Sequence, residues 1–151
     1  ESGVLYAPIK GKAIDLSEVK DGVFSEGMLG KGIGIEPEEG RAVSPVNGTV
    51  SVVFDTKHAI GITSDEGVEV LIHVGLDTVQ LNGKYYDTHV KVGDKVKVGD
   101  LLVEFDKDKI QKAGYRTVTP IIISNTDSFK DVKVLAKGEV EEKAEMLRVE
   151  K

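Results

Sequence analysis

Apolar residues fall in short bursts rich in valine and isoleucine, broken by turn-forming residues roughly every eight to twelve positions. Many bursts alternate apolar with polar, which is the period of a strand with one buried face. The pattern predicts strands over residues 11–15, 32–35, 40–43, 48–53, 59–64, 68–74, 95–98, 101–105, 119–124 and 132–136. One short helix is expected over residues 106–113, with Asp106 near its start and Gly114 as its stop. The fold class is therefore all-β, an antiparallel sandwich or flattened barrel with little helix.

A short internal repeat supports that architecture. "APIKGKAIDL" at residues 7–16 and "SPVNGTVSVV" at residues 44–53 share a small residue, proline, an apolar residue, glycine and a following apolar position, and "TPIII" at residues 119–123 echoes the start. Such a duplicated strand motif suits two related halves of a sandwich, and the repeat is too short for a solenoid.

Length and composition narrow the classes. At 151 residues the chain makes one domain, residues 1–151, with a substantial core. A net charge of −6 without a Lys/Arg-rich run speaks against nucleic acid or an anionic membrane as partner, since neutralising phosphates needs a concentrated basic face. With no cysteine there is neither a disulfide framework nor a thiolate, which suits a reducing, cytoplasmic setting. No apolar run reaches the roughly twenty residues of a membrane span, and no export signal is evident. The opening "ESGVLYAPIKG" lacks an initiator methionine, as expected of a domain excised from a larger polypeptide; residues 139–151 read as a charged, solvated end.

Two of the three histidines sit fifteen positions apart, one in each of two adjacent predicted strands. If Ser64 and Gly67 close a two-residue loop over Asp65 and Glu66, cross-strand partners sum to 131, and His58 lies directly opposite His73. That register puts Ile60, Ile62 and Leu71 on the histidine face and Val68, Val70, Ile72 and Val74 in the core. A three-residue loop with a bulged Gly67 would shift the sum by one. Facing imidazoles could carry out nucleophilic transfer of a phosphoryl or acyl group, one ring attacking and the other donating a hydrogen bond. They could equally form half of a zinc site completed by a carboxylate and water, or be a cross-strand polar pair without chemistry.

The residues around the pair carry a family resemblance. "DGVFSEGMLGKGIGIEP", "SPVNGTV", "TKHAIGI", "LIHVGLDTV", most of "VKVGDKVKVGDLLVEFD" and "TPIIISN" together run along nearly the whole chain. They closely resemble the enzyme IIA component of the glucose family of the bacterial phosphoenolpyruvate:sugar phosphotransferase system. The resemblance implies that His73 is the phosphoacceptor, taking the group on Nε2 from phospho-HPr and passing it to a cysteine of a sugar-specific IIB domain. It implies that His58 helps hold the phosphoryl group, that the Thr56 hydroxyl bonds the His58 ring, and that Asp77 is the acidic residue near the site. It further implies an apolar docking depression built from Val23, Phe24, Met28, Leu29, Phe54, Leu71 and Val79. Val74 stands where a phenylalanine is frequent, and Leu71 where some members have phenylalanine. No cofactor is obligatory; zinc held by His58 and His73 belongs to a competing reading, a regulatory module whose unphosphorylated form inhibits transporters or kinases. The location implied is cytoplasmic, with membrane tethering through a fused permease as the variant.

Other motifs lead elsewhere. "GMLGKGIG" lacks the Ser or Thr and the following helix of a phosphate-binding loop. "VKVGDKVKVGD" resembles the strand-turn pattern of lipoyl and biotinyl carriers, but neither Met28 nor Met146 flanks a modifiable lysine, and the His-x-His pair of a hybrid-barrel zinc peptidase is absent. His89 reads as a surface loop histidine outside the site.

Overall fold

The computed structural model describes residues 3–19 and 30–150. Its strands are β1 (Val4–Tyr6), β2 (Gly11–Asp15), β3 (Lys31–Pro37), β4 (Arg41–Val43), β5 (Gly48–Val53), β6 (Ala59–Ser64) and β7 (Glu69–His73). They continue as β8 (Tyr86–Thr88), β9 (Lys95–Val96), β10 (Leu101–Phe105), β11 (Thr119–Ile123), β12 (Asp131–Val134), β13 (Gly138–Val140) and β14 (Glu145–Glu150). Among the described residues one α-helix, α1 (Lys107–Lys112), interrupts them, and the Asp106 side chain caps it by accepting from the Lys109 N–H.

Eight strands form one antiparallel sheet in the order β13-β2-β3-β11-β7-β6-β5-β9, and two three-stranded sheets run β1-β14-β12 and β4-β10-β8. The two copies of the sequence repeat enter the large sheet at matching places. β2 and β5 each lie second from an edge, and each starts at the repeat's glycine. The duplicated motif is thus the frame of the sheet. Among the described residues no helix is long and apolar enough to cross a membrane.

The main core lies against one face of this sheet. Ile33, Ile60, Ile72 and Ile121 stand in one cross-strand row and join Leu5, Leu102, Phe105, Met146 and Leu147 from the smaller sheets. The other face carries a smaller cluster of Leu16, Val19, Leu76, Val118 and Ile122, with Leu71 packed against it.

The β6–β7 register corrects the expected one. Ala59 pairs with His73 and Ile60 with Ile72, so partners sum to 132. The loop is three residues long: Ser64 N–H bonds to Val68 O at 2.8 Å, and Gly67 takes φ 89°, the left-handed conformation a glycine adopts without steric cost. Ile60 and Ile62 consequently belong to the core and not to the histidine face. Burial decides the matter, since the alternative register would turn both isoleucines outward at about 1.5–3 kcal/mol each.

A second correction concerns the carboxyl-terminal end. It forms β13 and β14, and β14 buries Met146, Leu147 and Val149 between charged neighbours. Together with β1 and β8, these are the strands the pattern missed; β1, β8 and β13 are each three residues long, too short for alternation to show.

Candidate functional site

The histidines meet despite the shifted register. Position 58 lies just before β6, where its carbonyl accepts from the Val74 N–H at 2.7 Å. Strict alternation would place its side chain with Val74, away from His73. Lys57 before it takes φ 64°, a left-handed kink that ends the alternation. The two rings stand edge-to-face with centroids 4.6 Å apart at 82°.

On the face opposite the main core, Phe54, Ala59 and His73 form one row, with Phe54 N–H bonding to Ala59 O at 3.1 Å. Val52, Gly61 and Leu71 form the next. The Val52 side chain covers Gly61, where an added Cβ would meet its Cγ1 at 2.6 Å. His58 lies beside Phe54, whose ring is edge-on at 5.4 Å. The buried His58 is 2% exposed, whereas Phe54 is 40% and Val79 47% exposed.

Hydrogen bonds orient each ring. His73 Nδ1 lies 2.7 Å from the Gly75 carbonyl oxygen. A carbonyl only accepts, so Nδ1 carries the proton, and in the neutral ring the lone pair resides on Nε2. Gly75 itself is held by its surroundings. Its φ is 87°, and an added Cβ would approach Thr78 Cγ2 at 2.6 Å and the Arg116 carbonyl oxygen at 2.9 Å. The preceding Val74 carbonyl receives the hydroxyls of Thr78 and Tyr86, each at 2.8 Å. Burial pushes the Tyr86 phenol up to about 12, so it stays a donor.

His58 Nδ1 lies 2.8 Å from Thr56 Oγ1. Burial, reinforced by the neighbouring His73, lowers the His58 pKa to about 4, against a weaker opposing hydrogen bond to the Thr56 backbone. At neutral pH this ring is uncharged, with one donor and one acceptor nitrogen. Thr56 and Gly75 thus each contact one Nδ1 atom. Among the described residues no carboxylate joins the pair to make a three-ligand group, so a metal held here would need ligands from outside those residues.

The other anticipated residues are distributed unevenly. Thr56, Phe54 and Leu71 stand around the pair as described. Asp77 is exposed, in a left-handed conformation before the 3-10 turn Thr78–Leu81, and its carboxylate makes no capping bond there; Val79 lies on that turn. Val23, Phe24, Met28 and Leu29 lie outside the described residues. His89 belongs to the β8 side of a different sheet and bonds to Glu104 at 2.8 Å. Sequence reasoning missed the carbonyls of Val74 and Gly75 and their anchors Thr78 and Tyr86. The glycine after β7 marks the bend, but nothing in the pattern says where its carbonyl points.

A β-sandwich presenting an oriented imidazole beside a second, neutral one has the build of a histidine-based group-transfer domain. The family model described as "phosphoenolpyruvate-dependent sugar phosphotransferase system, EIIA 1" matches residues 3–129, and the chain belongs to that family. It is 56% identical over 144 residues to a PTS system beta-glucoside-specific EIIBCA component of Bacillus subtilis, covering 95% of this chain and 24% of that protein. It is 49% identical over 136 residues to a PTS system glucose-specific EIIA component of Oceanobacillus iheyensis, covering 90% of this chain and 82% of the relative. Among solved structures, glucose permease IIA from Mycoplasma capricolum superposes with a TM-score of 0.90 at 38% identity, covering 95% of this chain and 93% of that one. The role common to this family is that of a phosphoryl carrier in sugar phosphotransfer.

Proposed function

We propose that His73 Nε2 is the atom that carries the phosphoryl group, received from phospho-HPr and delivered to a cysteine of a IIB domain. The observation behind this reading is the His73 Nδ1–Gly75 carbonyl bond, which directs the lone pair to Nε2. In the step, that lone pair forms the new P–N bond while the donor's P–N bond breaks and its electron pair returns to the donor imidazole. As Nε2 bonds phosphorus, the ring becomes cationic, and the Gly75 carbonyl dipole stabilises the retained Nδ1 proton.

His58 completes the site without adding charge. With the Thr56 hydroxyl donating to Nδ1, the single proton of the neutral ring sits on Nε2 and donates to a phosphoryl oxygen. Phosphoryl transfer passes through a loose transition state, so alignment and charge stabilisation supply most of the catalysis. The exposed Phe54 and Val79, with Leu71 and Val52, form the described part of an apolar rim that excludes water as partners dock. Asp77 supplies a negative charge suited to a basic partner surface.

The beta-glucoside relative bears the printed name EIIBCA, and this chain spans 24% of its length. We place the domain on the cytoplasmic side, working with a IIB domain that is either separate or fused in one permease. A second reading follows from the adjacency of the two imidazoles: the unphosphorylated pair holds zinc together with a carboxylate of a regulated partner, giving a transient inhibitory complex.

The test is intact mass spectrometry after incubation with phosphoenolpyruvate, enzyme I and HPr. One acid-labile phosphoryl group is expected, absent in His73→Ala and retained in His58→Ala, which then passes it on poorly. Persistence of the adduct in His73→Ala would refute the assignment.

A further inference from the structure

In the small sheet β4-β10-β8, the paired strands β8 and β10 bring three metal-binding side chains together. Asp87 and Glu104 are directly opposed on the antiparallel ladder, and His89 lies two residues beyond Asp87 on the same face. One donor atom from each converges, all within 4.8 Å of one another. His89 Nε2 is 2.8 Å from Glu104 Oε1 and 3.7 Å from Asp87 Oδ2.

From these residues we propose a binding site for a first-row divalent transition ion, for which Zn²⁺ is the probe. Ligand atoms about 2.0–2.1 Å from such an ion are separated from one another by roughly 2.9 Å in octahedral and 3.4 Å in tetrahedral geometry. The two separations from His89 bracket those values, so small rotations of exposed side chains bring the donors onto one ion. One imidazole with two carboxylates is a borderline donor set that suits Zn²⁺ or Co²⁺ better than Mg²⁺.

Electrostatics favours a cation here independently of geometry. Like charges directly across a ladder repel. Among the described residues, the only cationic partner of either carboxylate is His89, and it is charged only when protonated. A bound divalent ion would neutralise both carboxylates at once.

The frame is rigid and the approach open. His89 N–H bonds to Leu102 O at 2.8 Å, and the ladder neighbours Tyr86 and Phe105 are buried in the core. Asp87 and Glu104 stand on the wall of a cleft of about 590 Å³ whose other charged residues are Glu38, Asp106, Asp108 and one cation, Lys107. That space admits water to complete the coordination. The site shares no residue with the His58–His73 pair.

Calorimetric titration of ZnCl₂ at neutral pH into the full chain tests this, with His58→Ala/His73→Ala as the background that removes the other imidazoles. One Zn²⁺ per chain is expected to remain in that double variant. Adding His89→Ala or Glu104→Gln should weaken it by at least about ten-fold, since even second-shell losses cost that much at metal sites. All three side chains are at least 36% exposed, so circular dichroism should show unchanged folding. His89→Ala alone should also keep its capacity for phosphoryl acceptance. Loss of all Zn²⁺ in the double variant, or affinity unchanged by His89→Ala, would overturn the proposal.

Discussion

Replacing His58 with glutamine should remove a pH-dependent part of the folding free energy. The wild-type ring has a folded-state pKa of about 4 and an ordinary value of 6.5. Because the folded value is the lower one, the unfolded chain binds more protons between the two, and stability rises with pH across that window. The contribution is complete above about pH 6.5 and is lost as pH falls towards 4; at 1.36 kcal/mol per pH unit, the full span is worth about 3 kcal/mol. Groups that do not interact with His58 are common to both proteins and cancel in the difference, which leaves the ring and its coupling to His73. Urea denaturation at about pH 7.5 and pH 4.5 should therefore show wild type losing roughly 2–3 kcal/mol more than His58→Gln. An NMR titration of the His58 ring should give a midpoint well below that of an exposed histidine. A midpoint near 6.5, or equal losses in the two proteins, would mean that the ring is solvated and that its neutrality at working pH does not arise from burial.

Two further substitutions probe the loop and the rim. Gly75→Ala places a Cβ against Thr78 and the Arg116 carbonyl at a φ of 87°, and should cost about 1–3 kcal/mol while slowing phosphoryl acceptance by His73; thermal unfolding and rapid-quench transfer measure the two effects. Phe54→Ser, at a position 40% exposed and edge-on to His58, should cost about 1–2 kcal/mol without unfolding the domain and should raise the KM for the protein partners; a mutant with wild-type transfer kinetics would remove Phe54 from the docking surface.

The strand content was legible because β-branched bursts and turn residues repeat along the chain. β2, β5, β6 and β10 match the predicted bounds, and the repeat's two glycines each begin a strand of the large sheet. The identities of His58, His73 and Thr56 were likewise open to reading, since local spacing and family motifs lie in the linear order. Register was not. A two-residue and a three-residue loop through Asp65, Glu66 and Gly67 differ only in backbone angles, and the core burial of Ile60 and Ile62 selects the latter. The carboxyl-terminal strand was hidden because its alternating charges resemble a solvated tail until β1 and β12 pair with it and cover Met146 and Leu147.

What the amino-acid order determined by itself was therefore an all-β domain, its duplicated motif and the imidazoles available for chemistry. The tertiary structure decided how those imidazoles are arranged. Lys57 in a left-handed kink precedes His58, the two rings meet edge-to-face, and a carbonyl fixed by a bend directs the His73 lone pair to Nε2. Each of these depends on backbone dihedrals and neighbours brought together by pairing of strands distant in sequence, a free energy of the whole packed sheet that no local pattern contains.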